Sequence, residues 1–308
     1  MKNQEHASSS LSSKETFRST NEKQMTPFGK LLRVMSRNAE DINKDLEKKY
    51  GIQNLIDSSL HINTTPFDRE LGGIYEKEDI HNDEETVYAL DRLNSAADVP
   101  NTQIFYKNTH GIDTVEGIVA KHRENKEVSK SNQAEMAITG LLHKILKERF
   151  LVVRTSIFDD YKNGIDNLIL DKETGAIICA FDEVLENEGD RNRGASKKIE
   201  KIKKSAVLGG TRAKYGVSLK EKKVVRSPAR NIPVFYLNIE SKDLAELTND
   251  LYYNNQEITS IEKRLFAHLV HSISEQKKML ESLTLPPVMQ EKLKEFEISL
   301  QTLKGFIV

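Results

Sequence analysis

The chain has 308 residues, of which 30% are charged and 37% are apolar, and its formal charge at pH 7 is −1. It is long enough to bury a substantial core, and its longest apolar runs are far shorter than the roughly 20 residues that a membrane-spanning helix requires. The single cysteine, Cys179, excludes an internal disulfide and a cysteine-based zinc site. We therefore expect a soluble protein compatible with the reducing cytoplasm.

The N-terminal part of the chain divides into two predicted segments. Residues 1–25 are rich in Ser, Lys, Glu and Asn and predict a disordered segment, whereas residues 26–128 predict a mostly helical region. Helical spacing of apolar residues runs from Pro27 to Tyr50. Thr26 is placed to cap this helix and Gly51 to end it.

Residues 129–254 carry the patterns of an α/β core. An amphipathic helix opens this region, with its apolar stripe at every third or fourth position, and apolar runs of strand length follow it. The predicted elements are a helix over 131–150, strands over 151–158, 164–170 and 176–184, a basic helix from Ser196 to Val207, a strand over 232–239 and a helix over 241–253.

Residues 255–308 predict C-terminal helices, separated by a break at Leu285-Pro286-Pro287. Such helices can pack on their own domain or form an interface with a protein partner or a second copy of the chain.

The two central strands predict a hairpin, because Gly175 can adopt the positive φ that closes a turn. The last strand follows a helix and is therefore expected to return parallel to its neighbour, which makes the sheet mixed. Asp166 stands at the start of one hairpin strand, while Asp182 and Glu183 stand at the end of the other. Pairing of the strands brings these acids to one end of the sheet, where carboxylates can bind Mg²⁺ or Mn²⁺.

This arrangement resembles the core of the PD-(D/E)XK nuclease superfamily over roughly 110 residues. The resemblance rests on Glu135 in the first helix, Gly164-Ile165-Asp166 opening a strand, the Thr174-Gly175 hairpin and the strand ending in Phe181-Asp182-Glu183-Val184. It implies a restriction-endonuclease-like fold with helical additions at both ends. It also implies that Asp166 and either Asp182 or Glu183 bind the metal, and that Glu135 assists.

The sequence departs from the motif at the lysine that follows the second acid by two residues. Val184 and Leu185 occupy the two candidate positions. Some members of the superfamily place this cation on the following helix, and we predict Lys198 for that role.

The choice between Asp182 and Glu183 depends on the hairpin register, because a slip of one residue exchanges the two faces of a strand. If Leu170 pairs with Ala176, Asp166 faces Ala180 and Asp182 shares its side. If Asp171 pairs with Ala176, Asp166 faces Phe181 and Glu183 shares its side.

A basic block follows the acids. It predicts a surface that binds the nucleic-acid backbone, for which we name Arg193, Lys197, Lys201 and Lys204. The cations from 191 to 230 are Arg191, Arg193, Lys197, Lys198, Lys201, Lys203, Lys204, Arg212, Lys214, Lys220, Lys222, Lys223, Arg226 and Arg230.

The sequence therefore predicts a nuclease that hydrolyses DNA or RNA with Mg²⁺ or Mn²⁺. The alternative is a catalytically inactive nucleic-acid-binding or protein-interaction module on the same fold, which the missing lysine favours. The histidines, His61 and His143 among them, show no paired metal-ligand spacing.

Overall fold

The computed structural model describes residues 25–186, 193–220 and 223–307. The disordered segment predicted for residues 1–25 lies outside these ranges apart from Met25, as do Arg191, Lys222 and the side chain of Arg193. The helices are α1 (Pro27–Tyr50), α2 (Lys77–Asn94), α3 (Pro100–His110), α4 (Val115–Glu127), α5 (Lys130–Leu146), α6 (Ile157–Asn163), α7 (Arg193–Val207), α8 (Ser241–Tyr253), α9 (Ser260–Glu281) and α10 (Pro287–Gly305). The strands are β1 (Phe150–Arg154), β2 (Asn167–Asp171), β3 (Ile177–Glu186), β4 (Thr211–Ala213), β5 (Val217–Lys220), β6 (Lys223–Arg226), β7 (Ala229–Ile232) and β8 (Val234–Glu240).

The central sheet has the strand order β1-β2-β3-β8. The first three strands are antiparallel, and β8 pairs with β3 in parallel after a crossover that contains α7. Helix α5 packs on β1 and β3, with α1 and α8 against it, while α9 contacts β8 and α10 contacts β3. The prediction of a mixed α/β fold, with a mixed sheet flanked by helices, is confirmed.

The first helix begins and ends where the sequence predicts. The Thr26 side chain accepts a hydrogen bond from the backbone N–H of Gly29 at 3.1 Å, and Gly51 closes the helix in the left-handed conformation at φ 69°. These two residues satisfy backbone groups that a helix end leaves without intrahelical partners.

The turn between β2 and β3 depends on Gly175, which has φ 69°. The Asp171 side chain accepts from the backbone N–H groups of Glu173 at 2.7 Å and Thr174 at 3.1 Å. A Cβ atom at Gly175 would lie 1.6 Å from the carbonyl oxygen of Leu219. The turn therefore requires glycine for both its backbone conformation and the close approach of β5.

Three predicted elements differ from the structure. The strand predicted over 151–158 ends at Arg154, because Ser156 caps α6 by accepting from the backbone N–H of Asp159 at 3.1 Å. The basic helix begins at Arg193, so the prediction that Ser196 caps it is wrong. The short strands β4 to β7 form two additional two-stranded sheets that the apolar pattern did not indicate.

Across the described ranges, no helix is both long enough and apolar enough to cross a membrane.

Candidate functional site

Asp166 lies directly before β2, at the end of the sheet opposite the Gly175 turn. Its backbone N–H donates to the carbonyl of Phe181 at 2.8 Å, and its carboxylate Oδ2 accepts from the backbone N–H of Glu183 at 2.6 Å. Burial and the nearby carboxylates of Asp160 and Asp182 raise the pKa of Asp166 to about 6. Its carboxyl group is thus tied to β3 and surrounded by groups of its own charge.

The adjacent acids of β3 occupy different environments, as expected for neighbouring strand residues that point to opposite faces. Glu183 is buried, and its Oε1 accepts from the side-chain amide of Asn167 at 2.5 Å, while its Oε2 has no hydrogen-bond partner among the described residues. Burial and Asp166 raise the pKa of Glu183 well above its ordinary value. Asp182 is also buried, but both of its oxygens are paired with lysines of α7.

The pairing of β2 with β3 contains an irregularity that neither predicted register includes. Leu170 pairs with Ile177, but after a shift between Ile169 and Leu170 the register changes by one residue, and Asn167 pairs with Phe181. Continuation of this second register places Asp166 opposite Asp182. Asp166 therefore lies opposite Asp182 across the two strands. Its side chain accepts a hydrogen bond from the backbone N–H of Glu183, the residue after Asp182.

Two lysines from α7 reach Asp182. Lys198 forms an ion pair with Oδ1, and Lys201 donates to Oδ2 at 2.8 Å and to the carbonyl of Gly164 at 3.1 Å. The helix following β3 thus brings cationic groups to the predicted acid end of the sheet. Lys197 and Lys204 lie exposed on the same helix.

Glu135, on α5, forms an ion pair with Arg154 at the end of β1, with 2.9 Å between Glu135 Oε2 and Arg154 Nη2. Burial, followed by the charge of Asp166, raises the pKa of Glu135 to about 8 even though Arg154 acts in the opposite direction. Glu135, Asp166 and Glu183 therefore form one electrostatic cluster.

A cavity of about 640 Å³ borders this cluster, and Glu135, Arg154 and Asp160 are among its lining residues. Helices α2, α4, α5 and α6 contribute its walls together with the segment around His61. Its ionisable lining comprises the carboxylates Asp57, Asp83, Glu84, Asp91, Glu127, Glu135 and Asp160 and the cations Arg123, Lys126 and Arg154. The excess of carboxylates favours cations over bare phosphates.

Whether a divalent metal ion could bind here depends on which side chains can supply its ligand atoms. Among the described residues, no group of three or more Asp, Glu, His or Cys side chains could hold a metal ion. A pair of carboxylates is present, however, because Asp166 and Glu183 interact electrostatically, and Glu183 Oε2 has no hydrogen-bond partner within the part of the chain that the structure describes. Mg²⁺ commonly uses one or two protein carboxylates, with water and phosphate oxygens completing its shell. The residues therefore fit an ion held by this pair, whereas the lysines already occupy Asp182.

Sequence reasoning missed Arg154 and Asn167, which hold Glu135 and Glu183 respectively. Both are polar residues at the ends of otherwise apolar strands, and this change from apolar to polar residues was the sequence pattern that could have identified them. Arg154 also donates to Asn132 Oδ1 at 2.8 Å. Its backbone pairs with the segment at His61, which extends the sheet beyond β1.

Comparisons with known proteins returned no matching family model, no similar curated protein and no similar solved structure.

Proposed function

We propose that this chain is a divalent-metal-dependent nuclease with a restriction-endonuclease-like core, acting on DNA or RNA. The order α5, β1, β2, β3, α7, β8 supports the proposal, with Glu135 on the leading helix, Asp166 before the second strand and the acid pair on the third. The resemblance seen in the sequence implies the same order.

The observation that carries the proposal is the contact of Lys198 and Lys201 with Asp182, next to Asp166. The motif lysine is absent from β3, and α7 supplies positive charge at that end of the sheet instead. In a nuclease, a fixed cation here would orient a phosphate and stabilise negative charge that develops on it.

Asp166 and Glu183 would hold Mg²⁺ or Mn²⁺. A bound ion would lower the pKa of a water molecule and neutralise charge on the scissile phosphate. Asn167 would orient Glu183 through its 2.5 Å hydrogen bond, and Arg154 would orient Glu135. Such supporting contacts fix the geometry of ligands and catalytic groups.

The nucleic-acid backbone would bind along α7, where Lys197 and Lys204 are exposed. Arg212 on β4 is exposed as well and extends the basic surface. Contacts with phosphates carry no base specificity, and binding through them weakens steeply with salt.

Purified protein incubated with labelled DNA and RNA and Mn²⁺ tests the function. We expect cleavage by the wild type and a loss of about a hundredfold or more in Asp166→Asn. Asp113→Asn, which removes an exposed carboxylate outside the proposed site, is the matched control and should cleave normally. Absence of cleavage by the wild type with either nucleic acid, or equal cleavage by Asp166→Asn, contradicts the proposal.

The alternative is a nucleic-acid-binding module that does not cut. The missing motif lysine favours it, because Val184 and Leu185 stand at the two positions where that lysine is expected. This reading predicts salt-sensitive binding that survives Asp166→Asn and fails when Lys197 and Lys204 are changed to Glu. Cleavage by the wild type would exclude it.

A further inference from the structure

A second polar cavity lies near the opposite end of α5 from Glu135. Its volume is about 240 Å³, and its walls come from α1, α5 and the segment after α8. His143 near the end of α5 and Lys147, which directly follows the helix, line it together with Arg37 of α1. A neighbouring cavity of about 500 Å³ shares His143, Lys147 and Asp41 with it.

Cations predominate in the smaller cavity. Arg37, Lys144 and Lys147 line it, with Asp41 as the carboxylate among its lining residues. Lys144 is neutralised by Glu262, whose two oxygens each lie 2.7 Å from its Nζ. Arg37 contacts the carbonyl of Leu251 only at 3.4 Å, which is long for a hydrogen bond.

The two remaining cationic side chains therefore have donor capacity to spare. An arginine offers five N–H donors and a lysine three. Burial lowers the pKa of Arg37, although Asp41 opposes that shift. Burial also lowers the pKa of Lys172 in the neighbouring cavity, with Lys49 and Lys147 adding to that shift and Asp45 opposing it. Glu148 also opposes the shift of Lys172, so the uncompensated positive charge lies in the smaller cavity, where an anion would offset that of Arg37 and Lys147.

His143 adds a neutral donor. Its Nδ1 is buried and has no hydrogen-bond partner among the described residues. An unpaired buried N–H group is rarer in proteins than an acceptor with spare capacity. The proton is therefore better placed on Nε2, which leaves Nδ1 as an acceptor with spare capacity. Burial and the charges of Lys147, Lys172 and Arg37 lower the pKa of His143 to about 4, so the ring is neutral at pH 7.

We propose that this cavity is a binding site for a small phosphate-bearing anion, held by Arg37, Lys147 and His143. A guanidinium group can donate two parallel hydrogen bonds to phosphate oxygens, and an ammonium adds a compact charge. The volume of about 240 Å³ accepts a phosphate group with a small substituent and not a nucleic-acid duplex. The site is separate from the acid cluster and does not depend on the nuclease proposal.

Calorimetric titration of the full chain with inorganic phosphate, and separately with a nucleoside monophosphate, tests the site at constant ionic strength with EDTA present. We expect saturable binding of one phosphate group per chain. Binding should weaken about tenfold or more, roughly 1.4 kcal/mol, in Lys147→Glu and in Arg37→Ala. Because Lys147 is exposed, its substitution preserves folding even if that of Arg37 does not.

Two exposed lysines provide matched controls. Lys48→Glu changes the same charge on α1, and Lys204→Glu changes it on the basic helix α7. Both should bind phosphate as the wild type does. Equal affinities for the two ligands would show that the phosphate group alone is recognised, and tighter binding of the nucleoside monophosphate would show that its substituent is also recognised. The site is excluded if neither ligand gives saturable binding, if Lys147→Glu binds normally, or if Lys204→Glu abolishes binding.

Discussion

The two ends of α5 differ in the sign of the charge that they gather. Near its start, Glu135 shares an electrostatic cluster with Asp166 and Glu183, and the pKa of each carboxyl is raised. Near its end, His143 lies among cations, and its pKa is lowered. One helix about 25 Å long thus separates a carboxylate cluster from a cationic cavity.

Without bound ligands, both clusters lower the stability of the folded chain, because burial and neighbours of like charge disfavour the ionised form of each group. Most of the other charged contacts of this protein are simple ion pairs, such as Arg92 with Asp98 at 2.6 Å. This contrast is the basis of the two proposals, a divalent cation at one end of α5 and a phosphate group at the other.

The largest expected effect concerns the lysines at the acid end. Lys198→Met should lower cleavage by about a hundredfold, since it removes a cation that stabilises developing charge. Lys201 still pairs with Asp182 in this variant, so the buried carboxylate keeps a partner. Cleavage by Lys294→Met, which removes an exposed lysine on α10 outside the proposed site, should be nearly unchanged. If both variants cleave equally, α7 does not replace the motif lysine.

The next effect distinguishes the two acids of β3. Glu183→Gln should weaken Mn²⁺ binding by roughly a hundredfold. Removal of a residue that only supports a metal ligand already weakens binding by about 10- to 100-fold, and Glu183 is proposed as a ligand itself. Asp182→Asn should weaken it less than tenfold, because lysines occupy that carboxylate. Calorimetry with Mn²⁺ measures both, and the reverse ranking would assign the metal to Asp182.

The raised pKa values predict how stability depends on pH without divalent ions. The folded chain retains protons on Glu135 and Glu183 that the unfolded chain releases near pH 4 to 5, so the free energy of unfolding should fall as pH rises through the folded pKa. Between pH 7 and 8 we expect deprotonation of Glu135 alone to cost roughly 1 kcal/mol, or about 2 °C in Tm, and Glu183 acts in the same direction. His61 and His143 oppose this trend only weakly, because their folded pKa values are lowered and the histidines of the unfolded chain have already released most of their protons above pH 7.

Thermal unfolding of Glu135→Gln at pH 7 and pH 8 checks the role of Glu135, because Tm should fall less between these pH values than it does in the wild type. Mn²⁺ should stabilise the wild type more at pH 8 than at pH 7, since the ion binds the deprotonated carboxylates. If Glu135→Gln leaves the dependence of Tm on pH unchanged, that dependence does not originate from Glu135.

The smallest effect concerns the support of Glu183. Thr139 is fully buried, and its hydroxyl lies 3.0 Å from Asn167 Oδ1. Thr139→Val should lower the free energy of unfolding by about 1 kcal/mol, because Asn167 loses a partner. Mn²⁺ binding should weaken slightly in the same variant, whereas phosphate binding at the other end of α5 should not change. Urea denaturation and the two titrations measure these outcomes.

The sequence by itself determined the order of α5, the strands of the central sheet and α7, without α6 and β4 to β7, and the location of three acids at one end of the sheet. Apolar periodicity and the residues at α1's ends carry that information locally, as Thr26 and Gly51 show. The Gly175 hairpin then requires Asp166 and the end of β3 to lie together.

Only the tertiary structure decided which residues those three acids contact. The register shift at Ile169 and Leu170 arises from strand pairing, and neither predicted register contains it. The approach of Lys198 depends on how α7 packs over the sheet, and the cationic cavity depends on α1 meeting α5 across about a hundred residues of sequence. Local patterns set which face of an element is apolar, but contacts between distant segments set which charges meet.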